Sequence, residues 1–169
     1  MYLMCRKNVC APLYVLSFPF ALPRSLTEAQ RFFYLNPNPK RIDNTADRLR
    51  YYRYKNSLLQ RDVADYLGID RGTYKSYEDN NRDYYPLDKL LKIADLFKVD
   101  ITDLLDDYNR FLFEGQGNKT KALRKEMELT QSDFGKQLGV SAKTVRQWEL
   151  EGVRMFKGTW ETIFKGLQI

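Results

Sequence analysis

Two windows of 19 residues contain the side chains best suited to chemistry, and the same polar types recur in both. The windows are QRDVADYLGIDRGTYKSYE at 60–78 and QSDFGKQLGVSAKTVRQWE at 131–149; they lie 71 positions apart and align without a gap. Both begin with glutamine, and both carry a basic residue, Lys75 or Arg146, three positions before the closing glutamate. Such cations and amides bind anions and donate hydrogen bonds, but they do not form the nucleophile and base pair of covalent catalysis.

The residue types that are missing exclude several classes of site. The chain has no histidine, so neither a Ser–His–Asp nor a Cys–His arrangement can form. Cys5 and Cys10 are its two cysteines, too few for a closed Cys/His zinc site within one chain. No phosphate-cradling glycine loop is present either. We therefore expect no enzyme, no cofactor and no metal. We also expect two free thiols in a reducing cytoplasm, with a disulfide as the alternative for a secreted protein.

Composition indicates a folded protein of modest positive charge. Of 169 residues, 43% are hydrophobic and 30% are charged, as in globular proteins. The net charge of +6 is compatible with a nucleic-acid partner, but many other proteins are equally basic. The 14-residue apolar run at 9–22 is too short to span a membrane. Pro12 and Pro19 interrupt it, which argues against a signal peptide. We expect residues 1–39 to form an irregular arm and the protein to have no membrane partner.

Helical periodicity dominates the chain after residue 40. Helices are expected over about 45–56, 60–67, 71–79 and 86–99, and a shorter one begins near Asp100. EGQGN at 114–118 is typical of a flexible linker, and the helical pattern then starts again at residue 119. We expect an all-α protein with two domains. We call residues 40–113 head 1 and residues 119–169, which are fewer, head 2.

Each head contains two short helices joined at a glycine. In head 1 the first of them ends at Gly68, and Asp70 caps the second. In head 2 Thr130 and Ser141 are the capping residues, and Gly139 ends the first helix. A helix, a glycine turn and a capped second helix form a helix-turn-helix, whose second helix is exposed at its first turns. We expect Tyr74, Tyr77, Val145 and Trp148 to face inward; Tyr84 and Tyr85 stay ambiguous between core and surface.

The two windows resemble the lambda-repressor and Cro-like, or Xre, helix-turn-helix family. The family pattern is present in LLQRDVADYLGIDRGTYKSYE and again in LTQSDFGKQLGVSAKTVRQWE, so the resemblance covers about 42–108 and 119–165. It implies two tandem lambda-repressor-like helix-turn-helix bundles, the second shorter, after an irregular N-terminal arm. It also implies that Glu78 and Glu149 form a structural bond or salt bridge.

The resemblance implies a set of DNA contacts in each head. Gln60 and Gln131 would reach phosphates, Thr73 and Thr144 would lie near the DNA backbone, and Asn81 with Arg82 would hold phosphates. The exposed faces of the two recognition helices are Arg71, Gly72, Lys75 and Ser76 in head 1, and Ala142, Lys143, Arg146 and Gln147 in head 2. Arginine and lysine favour guanine or phosphate, and glutamine pairs with adenine. Because Gly72 has no side chain, we expect head 1 either to read less sequence than head 2 or to rely on a close approach of its backbone to DNA.

The charge distribution favours the same interpretation. Residues 40–77 carry nine Lys/Arg against five Asp/Glu, whereas residues 78–114 carry five against ten. We expect a sequence-specific double-stranded DNA-binding protein, a transcriptional regulator that reads two major-groove half-sites as a pseudo-dimer or as a homodimer. The alternative is a helix-turn-helix module that binds a protein partner, as an antitoxin, accessory or inhibitor factor.

Overall fold

The structure is a computed structural model. The part of the chain that it describes is all-α. This part comprises residues 24–80 and 82–166, and it contains no β-strand. The chain divides into two compact units, Met1–Pro37 and Asn38–Ile169. Across the two described ranges, no helix combines the length and the apolar character needed to cross a membrane.

The first unit contains a helix that the sequence interpretation missed. Residues Arg24–Leu35 form α1, so the expectation of an irregular arm over 1–39 is wrong for this segment. The helix ends where Asn36 donates from its side chain to the carbonyl of Phe32 at 3.1 Å. Pro12 and Pro19 interrupt the apolar run at 9–22, whereas no proline or glycine interrupts residues 24–35. The apolar run at 9–22, Cys5 and Cys10 lie outside the described residues.

Five α-helices follow over the range of head 1. They are α2 (Thr45–Lys55), α3 (Gln60–Leu67), α4 (Arg71–Glu78), α5 (Leu87–Phe97) and α6 (Asp107–Phe113). The Asn44 side chain caps α2 by accepting from the Asp47 amide at 2.7 Å, and Gly68, which was predicted to end α3, has a φ of +64°. The helix expected at Asp100 is only a short 3₁₀ turn, Ile101–Asp103, which precedes α6.

Four further helices form head 2. They are α7 (Gln116–Glu126), α8 (Gln131–Leu138), α9 (Ala142–Glu149) and α10 (Lys157–Trp160), which continues as a π-helix over Glu161–Lys165. Thr130 caps α8 and Ser141 caps α9, each by accepting a backbone hydrogen bond three residues on. Gly139, at the turn between these helices, has a φ of +67°. The helix-turn-helix geometry predicted from the repeat is therefore present twice.

The segment 114–118 is not the flexible linker that its composition predicts. Gln116 opens α7, and its side-chain amide donates to the Val153 carbonyl at 2.6 Å and accepts from the Met155 amide at 2.9 Å. A Cβ on Gly117 would lie 2.5 Å from the Glu149 carbonyl oxygen. The glycine therefore serves close packing, which composition alone cannot distinguish from flexibility. The domain boundaries drawn at this segment stay a prediction.

Two hydrophobic clusters form the cores of the heads. Tyr74 and Tyr77 are buried in the first cluster and Val145 and Trp148 in the second, as predicted. Helix α6 lies within the sequence range of head 1, yet two of its aromatic residues pack into the core of head 2. Its Phe111 ring lies 4.8 Å from the ring of Phe164, measured between centroids. The shorter head thus completes its core with a helix that precedes it in the sequence.

Candidate nucleic-acid interface

In head 1 an arginine, a glutamate and a glutamine hold the exposed helix α4 against α2 and α3. Arg53 on α2 donates from Nε and Nη2 to the two carboxylate oxygens of Glu78, at 2.6 and 2.8 Å. Its Nη1 donates to the carbonyl of Leu58 at 3.0 Å. Gln60, the first residue of α3, donates to the Glu78 carboxylate at 3.0 Å. We call Arg53, Gln60 and Glu78 the head 1 brace.

Head 2 repeats this arrangement bond for bond. Arg124 donates from Nε and Nη2 to the carboxylate of Glu149, at 2.5 and 3.2 Å, and from Nη1 to the Leu129 carbonyl at 2.8 Å. Gln131 donates to the same carboxylate at 2.8 Å. Each residue of this head 2 brace (Arg124, Gln131, Glu149) lies 71 positions after its counterpart. The structural role expected for the two glutamates is confirmed.

The two arginines were missed by the sequence interpretation because they precede the aligned windows. Their signal is available, since Arg53 and Arg124 are also 71 positions apart. Burial opposes the charge on Arg53, but the hydrogen bonds and the charge of Glu78 raise its pKa overall. The hydrogen bond with Glu149 likewise raises the pKa of Arg124. Both guanidinium groups therefore stay charged, and their planar donors fix the position of each glutamate.

The predicted reading face of α4 is partly exposed and partly used internally. Arg71, Gly72 and Lys75 are exposed, whereas Thr73 and Ser76 are half-buried. The Thr73 hydroxyl donates to the Asp70 carboxylate, and the Ser76 hydroxyl donates to the Thr73 carbonyl at 2.7 Å. The side chains of α4 that extend outward as donors are thus Arg71 and Lys75.

The predicted reading face of α9 offers more donors. Ala142, Lys143 and Arg146 are exposed, and Thr144 and Gln147 are half-buried. The Thr144 hydroxyl lies 2.9 Å from that of the capping Ser141. Within residues 24–80 and 82–166, Lys143 and Arg146 form no ion pair. These two cations are therefore available to an external anion or base edge.

The remaining predicted contact residues differ in how far they are available to DNA. Gln60 and Gln131 each use one amide hydrogen in a brace, which leaves the second hydrogen for a phosphate. Arg82 is exposed, and its guanidinium lies 5.0 Å from the centre of the Tyr77 ring. Asn81 lies outside the described residues.

The two recognition helices differ in charge at their starts and ends. Asp70 caps α4, and hydrogen bonds from Thr73 lower the pKa of its carboxyl, so it is ionised at neutral pH. The equivalent cap of α9 is the neutral Ser141. Gly72 and Asp79 stand where head 2 has Lys143 and Leu150. A Cβ on Gly72 would lie 2.9 Å from an Asp70 carboxylate oxygen, so the bare glycine leaves room for this acidic cap.

Comparison with known protein families gives a match in each head. The sequence model of one helix-turn-helix domain family matches residues 46–110, and that of a second helix-turn-helix family matches residues 121–155. No curated protein and no solved structure matches the chain significantly.

Proposed function

Because the chain carries two tandem helix-turn-helix domains of the lambda-repressor-like, or Xre, family, we propose that it binds double-stranded DNA sequence-specifically and regulates transcription. In this proposal α4 and α9 enter successive major grooves, and each reads one half-site. The protein acts in the cytoplasm, where its DNA target is accessible.

One observation carries this proposal: the same three-residue brace fixes an exposed helix in both heads. Each glutamate lies on the recognition helix itself, and each glutamine begins the helix before it. A bidentate arginine–carboxylate pair is geometrically specific, so it sets the position of the helix rather than only its stability. A fixed helix with outward-pointing cations is what direct reading of base edges requires.

The proposed mechanism separates anchoring from reading. Phosphates are held by Arg82, by the second amide hydrogens of Gln60 and Gln131, and by the helix N-termini. In head 2, Lys143 and Arg146 donate to guanine or phosphate, and Gln147 pairs with adenine. In head 1 the equivalent donors are Arg71 and Lys75.

We propose that head 2 contributes most of the sequence specificity. Each recognition helix carries two exposed cations, but that of head 2 has a neutral cap and Gln147, whereas that of head 1 starts at the ionised Asp70 and has Ser76 at the glutamine position. Lys75 is further drawn toward Asp79, at 3.9 Å. A carboxylate close to the phosphates opposes binding, so the recognition helix of head 1 contributes less to DNA binding than that of head 2.

Contacts between the heads support reading of two half-sites at one spacing. Both heads belong to the compact unit Asn38–Ile169. The Tyr108 hydroxyl on α6 donates to the Met155 carbonyl at 2.5 Å, and Lys157 forms an ion pair with Asp83 at 3.5 Å. A single chain can thus act as a pseudo-dimer; a homodimer would present four recognition helices.

The alternative function, a module that binds a protein partner, is favoured by one surface. Leu150, Val153 and Phe156, in the stretch that follows α9, expose 69%, 41% and 72% of their surface. The equivalent positions in head 1 include the charged Asp79 and Arg82. Apolar side chains that are grouped on a surface often mark a protein interface.

The test is a fluorescence-anisotropy titration of the protein with random duplex DNA over a range of salt. We expect a logarithmic slope of about −4 or steeper, equivalent to roughly four or more neutralised phosphates. The double variant Lys143→Glu/Arg146→Glu should lose this binding. Its matched control, Lys92→Glu/Lys125→Glu, changes charge equally at exposed positions outside α4 and α9 and should bind more tightly than the first variant. Equal binding by both variants would show that α9 does not contact DNA, and no binding by the unmodified protein at low salt would favour the protein-interaction module.

A further inference from the structure

A cavity of about 220 Å³ lies between the chain segments that follow the two recognition helices. Tyr84 and Leu87 line it from head 1, and Glu151 and Arg154 line it from head 2. Leu112 and Phe113, at the end of α6, complete the apolar wall. A cavity of about 150 Å³ is enough to hold a benzene ring. This cavity therefore has room for one ring and a small substituent.

The wall combines large apolar side chains with polar ones, and it is accessible from solvent. Tyr84, Leu87 and Phe113 each expose 37% of their surface, although all three are large hydrophobic residues. Flat aromatic and branched aliphatic side chains of this kind favour a planar apolar ligand. The volume and the exposed apolar side chains together suit a single aromatic ring.

Most polar groups around the cavity are already paired within the protein. The Asn109 side chain accepts from the Tyr85 amide at 3.3 Å and donates to the Asp83 carbonyl at 3.0 Å. Both ends of the Gln116 amide are bonded to the backbone of residues 153 and 155. These groups position the wall, and they do not offer new hydrogen bonds to a ligand.

Arg154 is the exception, because its charge has no acidic partner in the described part of the chain. Its guanidinium stacks on the Tyr84 ring, 3.8 Å from the centroid. Burial raises the pKa of Tyr108, and the charge of Arg154 and a side-chain hydrogen bond with it oppose this rise. Stacking and the contact with Tyr108 leave other in-plane N–H groups of the guanidinium for a carboxylate, which such groups bind with two parallel hydrogen bonds.

Glu151 is the other charged residue at the cavity, and its carboxylate is engaged elsewhere. One of its oxygens accepts from the Gly117 amide at 3.2 Å, in the first turn of α7. No side chain caps that helix, so Glu151 occupies the position of a cap and faces the positive end of the helix dipole. The helix terminus therefore balances the charge of Glu151, whereas the charge of Arg154 is available to a ligand.

We propose that this cavity is a binding site for a single-ring aromatic monocarboxylate. The ring lies against Tyr84, Leu87 and Phe113, and the carboxylate pairs with Arg154. The site is built from the segments that directly follow α4 and α9. Binding of the ligand therefore changes the position of these two recognition helices relative to DNA. This second part rests on the proposed function; the site itself does not.

Benzoate is the probe, added to the full chain without DNA and followed by protein amide chemical shifts in NMR. We expect saturable shifts with a dissociation constant on the order of 1 mM, as suits nine non-hydrogen atoms. Benzamide is the neutral isostere and lacks the charge that pairs with Arg154, and acetate is a carboxylate without the ring. Each should bind at least about tenfold more weakly than benzoate.

Two variants assign the interaction to Arg154. Arg154→Met keeps an unbranched side chain over Tyr84 but removes the charge, and it should weaken benzoate binding by about tenfold or more. Glu151→Gln keeps the acceptor for Gly117 and removes a repulsive charge, so it should strengthen binding. Lys92→Met, an exposed position outside the cavity, is the control for net charge. The amide spectra of the free variants show whether each is folded.

The outcomes separate the site from the proposed function. No saturable benzoate shifts, equal binding of benzamide, or unchanged binding by folded Arg154→Met would each overturn the site. Anisotropy with duplex DNA, with and without saturating benzoate, tests the regulatory part: the DNA affinity of the unmodified protein should change, and that of Arg154→Met should not. Benzoate binding with unchanged DNA affinity would overturn the regulatory part alone.

Discussion

Arg53 and Glu78 form a bidentate ion pair that is almost completely buried, with 6% and 1% of their side chains exposed. Seventy-one positions later Arg124 and Glu149 form the same pair, with 13% and 6% exposed. Because each glutamate also receives a hydrogen bond from the first residue of the preceding helix, one interaction fixes three helices in each head. The internal repeat thus includes the brace that fixes the recognition helix as well as the helix-turn-helix.

Removing one partner of the buried pair should be costly. We expect Glu78→Ala to lower the free energy of unfolding by roughly 3–5 kcal/mol, because it leaves the Arg53 charge buried without a partner. The double variant Arg53→Met/Glu78→Leu should cost less, since it removes both charges and fills the space. Urea unfolding measures both. If the double variant is as unstable as the single one, the cost does not come from the unpaired charge of Arg53, and the hydrogen bonds of the pair themselves stabilise the fold.

The stability of head 2 should depend on pH through Glu149. Burial raises the pKa of its carboxyl, but the hydrogen bonds from Arg124 and Gln131 outweigh burial and the pKa is lowered overall. A lowered folded-state pKa contributes stability above the ordinary value of 4.5, and this stability is lost as the pH falls through the folded-state value. Urea midpoints measured from pH 6 to pH 3 should therefore fall less steeply in Glu149→Gln than in the unmodified protein. Parallel curves would contradict this assignment.

The two helix-turn-helix turns differ in how closely the first helix approaches the backbone of the turn. A Cβ at Gly135 would lie 2.7 Å from the Val140 carbonyl oxygen, although head 1 has the buried Ala64 at the equivalent position. We expect Gly135→Ala to destabilise the protein by about 1–3 kcal/mol through overpacking. Gly158→Ala is the matched control, because nothing lies within 4 Å of its Cβ position and alanine favours the helix. Thermal unfolding measures both, and equal midpoints for the two variants would contradict the close approach.

Exchanging the caps of the recognition helices should change DNA affinity in opposite directions. Asp70→Ser removes a carboxylate from the proposed DNA face and retains a helix cap, so affinity for random duplex should rise severalfold at low salt. Ser141→Asp introduces the same charge in head 2 and should weaken binding. Anisotropy at two salt concentrations tests both, and high salt should reduce the difference. If neither exchange alters affinity, the cap does not face DNA.

Single changes on α9 should relax sequence preference. Replacing Arg146 or Gln147 by alanine should cost roughly 1–3 kcal/mol of binding to a preferred sequence and relax discrimination at one base pair. Lys136→Ala, on α8, is the control; Lys136 is exposed and pairs with Asp133 at 3.2 Å. Competition assays with singly substituted duplexes measure the effect. If both α9 variants keep full discrimination, head 2 is not a reader.

The local pattern of the sequence predicts the helices and turns well because their causes are local. Gly68 and Gly139 adopt the left-handed conformation expected where a helix ends, and Asp70 and Ser141 accept the expected capping bonds. Each of these features depends on residues at most four apart, so a short window contains its cause.

Long-range contacts explain what the sequence could not predict. Gly117 is typical of a flexible segment in the sequence, but in the structure it packs closely against the carbonyl of Glu149. The arginine partners of the two brace glutamates lie 25 residues before them. Tyr108 and Phe111 precede the segment predicted as a linker, yet they belong to the core of head 2. Helix α1 was missed because residues 1–39 were treated as one irregular arm. The predicted exposed faces of α4 and α9 are confirmed except for Ser76 and Gln147, which are half-buried, and contact with DNA stays a prediction.

The central claim, two readers on one chain, is tested most directly by selecting bound sequences from a random duplex library and sequencing them. We expect two unlike half-site motifs at one fixed spacing, with the stronger preference in the half-site that Lys143→Ala and Arg146→Ala weaken. The other half-site should respond to Arg71→Ala. A single motif that is insensitive to the changes in one head would contradict the two-reader account, and no enrichment at all would contradict sequence-specific binding itself.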